Sequence, residues 1–210
     1  KLEITLHHAG HVAGAVSVSI KFKRKTIFFT GDILFNDQRT LDGANLPQHP
    51  VDILITETTR GATETPKNQT RESEIVRLLQ QMNSTLTKGG SVLIPVFALG
   101  RMQEMLLILE EAFKNNALPK TQVFCSGLGM DLVNHFHEIS KNTKRVRFNR
   151  KVLKSIGARP LPKRIRPGEP PPMHGIYLVS SGMMVENTPS YVLASGLLGN
   201  EKNAILFAGY

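Results

Sequence analysis

Residues 91–114 read SVLIPVFALGRMQEMLLILEEAFK, and this stretch decides the fold class. The apolar run from Ser91 to Phe97 predicts a buried strand. A helix follows from Arg101 to Lys114, because apolar residues recur there at helical spacing: Met102, Met105, Leu106, Leu109 and Phe113. A buried strand followed directly by an amphipathic helix is the unit from which parallel sheets are built.

Strands and helices alternate on both sides of this stretch. Upstream, Val51 to Thr56 is a nearly continuous apolar run, typical of a strand buried on both faces. A helix with inward residues from Ile75 to Leu86 follows and stops at Gly89-Gly90. Downstream, the pattern repeats at Gln122 to Cys125, Met130 to Ile139, Ile176 to Ser180, Tyr191 to Leu198 and Ala204 to Ala208. The alternation predicts an α/β fold with a mainly parallel sheet flanked by helices.

The first sixty residues have a different rhythm. Three short β-rich runs, Glu3 to Leu6, Ala15 to Ile20 and Thr26 to Thr30, are close enough in sequence to be hairpin neighbours. The pattern changes near Gly61, where hairpin-type strands give way to alternating strands and helices. We therefore predict two domains, residues 1–61 and 62–210.

Composition excludes several classes of protein. The 210 residues are 40% apolar and 20% charged, which is ordinary for a globular protein and excludes disorder and collagen. No apolar run reaches the roughly 18 residues of a membrane helix, so we expect no membrane partner. The single cysteine, Cys125, excludes an internal disulfide and a thiolate zinc cluster, and it fits a reducing compartment. We expect a cytoplasmic protein, or a nuclear one in a eukaryote, in which His, Asp or Glu holds any metal.

Positive charge is concentrated in one segment. The net charge of +9 comes from 26 basic and 17 acidic residues, and residues 141–166 contain 11 of the basic ones and none of the acidic ones. Only 15 basic residues remain elsewhere against the 17 acidic ones. A segment of this kind favours nucleic acid, because each phosphate that it neutralises releases condensed counterions. The alternative is a mobile, solvated basic loop.

Three side chains with metal chemistry each follow a predicted strand. His11 lies in a glycine-bearing turn, Asp32 follows an apolar strand directly after Gly31, and Glu57 ends the run that begins at Val51. A neutral imidazole is a good zinc ligand, and a carboxylate beside apolar residues needs a partner. Each residue also has an ordinary interpretation: a structural histidine, a turn aspartate and a capping glutamate.

Five stretches in a fixed order carry a resemblance to a known family. They are His8-Ala9-Gly10-His11-Val12-Ala13-Gly14-Ala15, Phe29-Thr30-Gly31-Asp32, Asp52-Ile53-Leu54-Ile55-Thr56-Glu57-Thr58-Thr59, Pro95-Val96-Phe97-Ala98-Leu99-Gly100-Arg101 and Ser180-Ser181-Gly182-Met183-Met184. Together they resemble the metallo-β-lactamase nucleases with an inserted β-CASP domain, over essentially the whole chain. The similarity is to the branch that cleaves pre-mRNA at its 3′ end and to its bacterial and archaeal relatives.

The resemblance implies a fold and a set of roles. Residues 1–61 would be the C-terminal portion of an αββα metallo-β-lactamase domain, and residues 62–210 the β-CASP domain, including the basic segment. His11 falls on a zinc-ligand motif, and Asp32 falls on the motif whose carboxylate bridges two zinc ions. Glu57 falls on an acid that orients a later histidine near the leaving group. Asp32 and Glu57 are thus the implied catalytic residues.

The resemblance also implies an activity, a zinc-dependent ribonuclease of RNA processing or decay. RNA is the expected partner, with DNA left open, as are a homodimer and a place in a processing complex. We expect contacts to nucleic acid from Arg101, Ser180, Ser181, Arg145, Arg147, Arg150 and Lys151. Alternatives remain: a structural salt bridge for Arg101, and for the chain a non-catalytic nucleic-acid-binding or assembly module, or a DNA-directed nuclease.

Some family motifs are missing from the sequence. The His-x-His-x-Asp-His signature is expected before residue 1, and the later histidine motifs after Tyr210, so we expect the chain to be a fragment. Arg60 stands where the family commonly has Tyr, and Ser181 where it frequently has Pro. We expect weak or no zinc binding, and no cleavage, by this chain alone.

Overall fold

The computed structural model describes residues 1–161, 165–171 and 173–208. Contacts divide the chain into two compact units. The N-terminal unit comprises Lys1–Pro66 together with Ile139–Arg147, and the C-terminal unit comprises Lys67–Glu138 and the residues from Phe148 onward. The domain boundary at residue 61 stays a prediction, and each unit is described by itself.

The N-terminal unit contains a four-stranded sheet. Its strands are β1 (Leu2–His8), β2 (Val16–Phe22), β3 (Lys25–Phe29) and β4 (Ile53–Ile55), in that order across the sheet. The pairs β1–β2 and β2–β3 are antiparallel, which confirms the predicted hairpins. Strand β4 instead runs parallel to β3, so both strands end at the same edge of the sheet.

Strand β4 corrects one expectation. We predicted a strand buried on both faces between Val51 and Thr56, yet Ile53, Leu54 and Ile55 are 49%, 57% and 50% exposed. The reason is position: β4 is the last strand of its sheet and has β3 as its only strand neighbour among the described residues. An apolar run reports which side chains favour burial, but burial itself depends on the layers that pack against the strand.

The C-terminal unit is built on a parallel sheet. Along the chain follow α1 (Arg71–Thr87), β5 (Val92–Pro95), α2 (Arg101–Lys114), β6 (Val123–Ser126), α3 (Leu128–Asn142), α4 (Val152–Ser155), β7 (Arg159–Pro160), β8 (Ile176–Val179), α5 (Pro189–Leu197) and β9 (Ala204–Ile205). The end of α3, from Ile139, is counted with the N-terminal unit. The sheet order is β7-β6-β8-β5-β9, and every paired neighbour is parallel. The predicted α/β architecture is confirmed.

The core of this unit lies on the central strands. All residues of β5 and β8 are buried, and the rings of Phe124 and Tyr177 stack with centroids 5.0 Å apart. Leu193 and Leu197 of α5 pack into the same cluster. Burying each such side chain contributes about 1.5–3 kcal/mol, so this sheet is a firm platform for the loops that follow its strands.

Cys125 on β6 is predicted to be chemically inert in the folded protein. It is 1% exposed, and burial raises the pKa of its thiol from 9.0 to about 12. Because the thiolate is the reactive species, alkylation by iodoacetamide should be at least about a thousandfold slower than at an exposed thiol. Peptide mass spectrometry of native and urea-unfolded protein measures this. Equal labelling in both states would contradict the buried position.

Candidate metal and nucleic-acid site

The turn between β1 and β2 positions His11. Ala9 and Ala15 close the turn, with the Ala9 N–H donating to the Ala15 carbonyl at 3.1 Å. Gly10 has a φ of +72°, and a Cβ there would lie 2.2 Å from the carbonyl oxygen of Leu34. Only glycine fits, because the chain that follows β3 passes against this turn.

Asp32 reaches the same place from the end of β3. Its Oδ2 lies 4.0 Å from His11 Nε2, and the two side chains are 78% and 38% exposed. Within the described part of the chain, no hydrogen-bond donor reaches the Asp32 carboxylate, so its oxygens face solvent. The pair is therefore open to a third group.

Glu57 completes the cluster from the end of β4. Its Oε1 accepts from the backbone N–H of Ile33 at 3.0 Å, and its Oε2 accepts from that of Thr59 at 3.4 Å. Hydrogen bonding from the Thr59 side chain, then from the Ile33 backbone, holds the pKa of Glu57 below its ordinary value, and nearby His11 adds to the effect. Glu57 is thus an anion fixed next to the residue that follows Asp32. The structure brings all three predicted residues together.

The cluster fits part of a zinc site. An imidazole nitrogen and a carboxylate oxygen are both zinc donors, but a complete site needs about four ligands, water included. Among the described residues no group of three or more His, Cys, Asp or Glu side chains is placed to hold a metal. His11 and Asp32 alone offer only two donor atoms, fewer than a complete zinc site needs.

A second candidate site lies in the C-terminal unit, where parallel strands end. Arg101 follows β5, Ser126 ends β6, and Ser180 and Ser181 follow β8, the strand between β5 and β6. A Cβ at Gly127 would lie 2.5 Å from Ser180 Oγ, so the loops after β6 and β8 touch. Such an edge is the usual ligand-binding side of an α/β sheet.

The loops at this edge are held by a buried glutamine. Gln103 is completely buried, and its Nε2 donates to the carbonyls of Ala98 at 3.2 Å and Gly129 at 3.0 Å. The hydroxyl oxygens of Ser126 and Ser181 are buried and have no hydrogen-bond partner in the described ranges. Sequence reasoning missed Ser126, whose only signal is a serine at the end of a predicted strand before a glycine.

Arg101 begins α2 in a partly buried position. Desolvation is the main cause that lowers the pKa of its guanidinium, and the neighbouring Arg71 acts in the same direction. An arginine nevertheless stays protonated in proteins. Arg71 itself is paired with buried Glu104 at 2.6 Å. Arg101 thus places a partly desolvated positive charge at a helix N-terminus, where an anion is favoured.

The basic segment is anchored by apolar side chains. Val146, Phe148, Val152 and Ile156 are 2–7% exposed, and the Phe148 ring packs edge-to-face on Phe136. The segment also forms α4 and β7, which the sequence did not predict. The described part of the segment is therefore packed at these apolar positions, while its basic side chains are largely exposed. Lys163 and Arg164 lie outside the described residues.

The four basic residues predicted to contact nucleic acid divide into two pairs. Arg147 is bonded to Asp42 and donates to the Gln38 carbonyl at 2.8 Å. With the Asn45 amide oriented so that its oxygen faces Arg145, that oxygen accepts two bonds from the guanidinium, at 2.7 and 3.0 Å. Arg150 and Lys151 are exposed, and the Arg150 contact to Asn134 is long, at 3.5 Å. The second pair is therefore the more available to phosphates.

A comparison with protein families decides the assignment. The family model described as the Beta-Casp domain matches residues 102–210, just over half of the chain. The chain belongs to the β-CASP family. The expected fold is thereby confirmed, and the family implies metal ions, consistent with the donor pair of His11 and Asp32.

Curated relatives match this β-CASP chain along its whole length. It is 34% identical to Endoribonuclease YSH1 of Eremothecium gossypii, 32% identical to Integrator complex subunit 11 of Danio rerio, and 30% identical to Transcription termination factor FttA of Methanocaldococcus jannaschii. In each case the match covers 100% of the chain but only 28%, 35% and 34% of the relative. The β-CASP chain thus spans about a third of the length of these proteins.

Proposed function

We propose that the whole protein carrying this chain is a zinc-dependent ribonuclease that hydrolyses phosphodiester bonds in RNA processing or decay. The observation that carries the proposal is the convergence of His11, Asp32 and Glu57 at neighbouring strand ends in a β-CASP chain. Relatives named as endoribonucleases and as a transcription termination factor support RNA as the substrate.

His11 and Asp32 are the proposed metal ligands: the His11 imidazole and the Asp32 carboxylate, 4.0 Å apart, would hold the zinc ions together with ligands from the rest of the protein. When bound, such ions activate water and neutralise charge on the phosphate that is attacked. Asp32 suits the role because its carboxylate is 78% exposed and lies beside an imidazole. Glu57 is held as an anion by two backbone N–H groups. Glu57 is proposed to orient the later histidine of the whole protein, which protonates the departing oxygen.

RNA is proposed to be held through its phosphates by two sets of residues. Arg101, Ser180 and Ser181 lie at the ends of adjacent parallel strands, with Arg101 at a helix N-terminus. Because the Ser181 hydroxyl oxygen is buried, a contact from it to a phosphate would require the loop after β8 to shift. Arg150 and Lys151 add exposed positive charge, whereas Arg145 and Arg147 would contribute only the part of their guanidinium surface that Asn45 and Asp42 leave open.

The setting proposed for this activity is the cytoplasm, or the nucleus of a eukaryote. None of the helices in the described part of the chain has the length and apolarity needed to cross a bilayer. One relative is named as a subunit of the Integrator complex. Membership of a processing complex is therefore the proposed state of assembly, with homodimerisation as the alternative.

Cleavage by the whole protein should depend on metal and favour RNA. With matched labelled RNA and DNA oligonucleotides, we expect cleavage of RNA that chelator abolishes and added Zn²⁺ restores. Faster cleavage of DNA would indicate a DNA-directed nuclease, because only the 2′-hydroxyl distinguishes the two backbones. RNA binding without metal-dependent cleavage would indicate a non-catalytic module.

Removing Arg150 and Lys151 should reduce the salt dependence of RNA binding. Each phosphate contact to a single strand contributes about −0.7 to the slope of log K against log salt. The double variant Arg150→Ala/Lys151→Ala should therefore have a slope about 1.4 units shallower, measured by fluorescence anisotropy. Arg77→Ala/Lys88→Ala removes the same charge on and just after α1, and it should leave the slope unchanged. Equal effects of both pairs would argue against a local contact.

A further inference from the structure

One buried side chain links the two proposed metal-ligand segments. Gln38 is 5% exposed, although it lies in the polar loop that follows Asp32. Its Nε2 donates to the carbonyl oxygens of Gly10 at 2.9 Å and His11 at 3.1 Å. Both protons of one amide group are thus directed at the two consecutive peptide units that carry His11.

The main chain of Gln38 is itself held in place. Its N–H donates to the Leu41 carbonyl at 2.8 Å, and its carbonyl accepts from Arg147 Nη2 at 2.8 Å. The backbone N–H of Arg147 also donates to the carbonyl oxygen of buried Thr40 at 2.6 Å, and its guanidinium donates to the Asp42 carboxylate. The Gln38 amide therefore extends from a fixed loop, which allows it to fix the turn that it contacts.

We propose that Gln38 is a positioning residue for the metal site: it holds the His11 turn at the distance from Asp32 that a shared metal requires. The inference rests on the proposed function of His11 and Asp32. Hydrogen-bond partners behind metal ligands orient those ligands, and their loss typically weakens metal binding about 10- to 100-fold. Here Gln38 supports the ligand through the His11 backbone and not through its side chain. The imidazole itself faces Asp32 and is 38% exposed.

The chain offers a matched control for this proposal. Gln122 also donates Nε2 to two carbonyl oxygens, those of Val123 at 3.1 Å and Gly157 at 2.7 Å, but it lies in the C-terminal unit. Replacing either glutamine by methionine keeps the length of the side chain and removes both donors. A general effect of losing two hydrogen bonds should therefore appear in both variants.

Cobalt binding to the whole protein tests the proposal. Co²⁺ affinity is measured by competition with a chelator, and the visible absorption of the saturated protein reports ligand geometry. We expect Gln38→Met to bind Co²⁺ about 10- to 100-fold more weakly and to shift the absorption bands, and Gln122→Met to match the unmodified protein. Gln38→Asn, which keeps a shorter amide, should give an intermediate affinity.

Each other outcome has a distinct meaning. Wild-type affinity and spectrum in Gln38→Met would overturn the positioning role, as would equal losses in the two methionine variants. Should Gln38→Met not fold by circular dichroism, the Gln38→Asn variant decides by the same criteria. Failure of both to fold would mark Gln38 as a structural residue only. Absence of Co²⁺ binding by the unmodified protein would instead refute the proposed function.

Discussion

Asp32→Ala in the whole protein is expected to abolish RNA cleavage while leaving RNA binding largely intact. The Asp32 side chain is 78% exposed, and its contact to His11 is long, at 4.0 Å, so its loss should not disturb the fold. If it holds the metal ions, its removal should lower the cleavage rate by at least about a thousandfold, which corresponds to ~4 kcal/mol of transition-state stabilisation. Single-turnover cleavage and anisotropy binding assays measure the two effects separately.

Asp52→Ala is the matched control for this variant. Asp52 lies in the same unit, where it accepts from Lys25 and from the Thr26 N–H, both at 2.8 Å. We expect the Asp52→Ala protein to cleave RNA at the normal rate, because the Asp52 carboxylate is bonded to Lys25 and Thr26 and has no contact with His11 among the described residues. Retained cleavage in Asp32→Ala would refute the nuclease assignment. Loss of RNA binding together with cleavage would indicate that Asp32 is needed for structure.

Gly10→Ala should cause a large loss of stability and of metal binding. The new Cβ would lie 2.2 Å from the Leu34 carbonyl oxygen and 2.5 Å from the Ala44 nitrogen, and both are backbone atoms that cannot rotate away. The residue would also have a left-handed φ of +72°. We expect the free energy of unfolding to fall by more than about 3 kcal/mol, in the range of severe core substitutions, as measured by urea denaturation.

Gly14 separates conformational strain from steric conflict. It also has a positive φ, +91°, but a Cβ there meets no atom within 4 Å. Gly14→Ala should therefore cost only about 1–2 kcal/mol, the usual penalty of a left-handed residue. Equal losses at both glycines would show that the chain after β3 does not pass as close to the His11 turn as the structure indicates.

Local patterns predicted most of the secondary structure. The helix from Arg101 to Lys114 has the predicted bounds, because its apolar spacing and its preceding glycine are local signals. In contrast, α4 and β7 escaped prediction, since their buried residues, such as Val152 and Ile156, are isolated among lysines and arginines. The exposure of β4 could not be predicted either, because burial is set by packing partners that a strand's own residues do not specify.

The candidate site was predictable only in part, for a similar reason. Asp32 and Glu57 meet because β3 and β4 are parallel, and His11 joins them because two antiparallel pairings bring the end of β1 to the same edge of the sheet. Gln38 gives no such signal: it is a polar residue in a loop, and its burial arises from contacts with Gly10 and His11, 28 and 27 residues away. Charge patterning likewise identified Arg147 without revealing that Asp42, 105 residues away, is its partner.

Because the N-terminal unit is built from two separate segments of the chain, it cannot be expressed as one continuous N-terminal piece. Leu41 forms a β-bridge with Val146, and the Arg145 carbonyl accepts from the Asp42 N–H at 3.3 Å. A recombinant piece that stops at Pro66 would omit both partners and leave the loop around Gln38 without its lateral support. A separately expressed unit therefore needs residues 139–147 as well as residues 1–66.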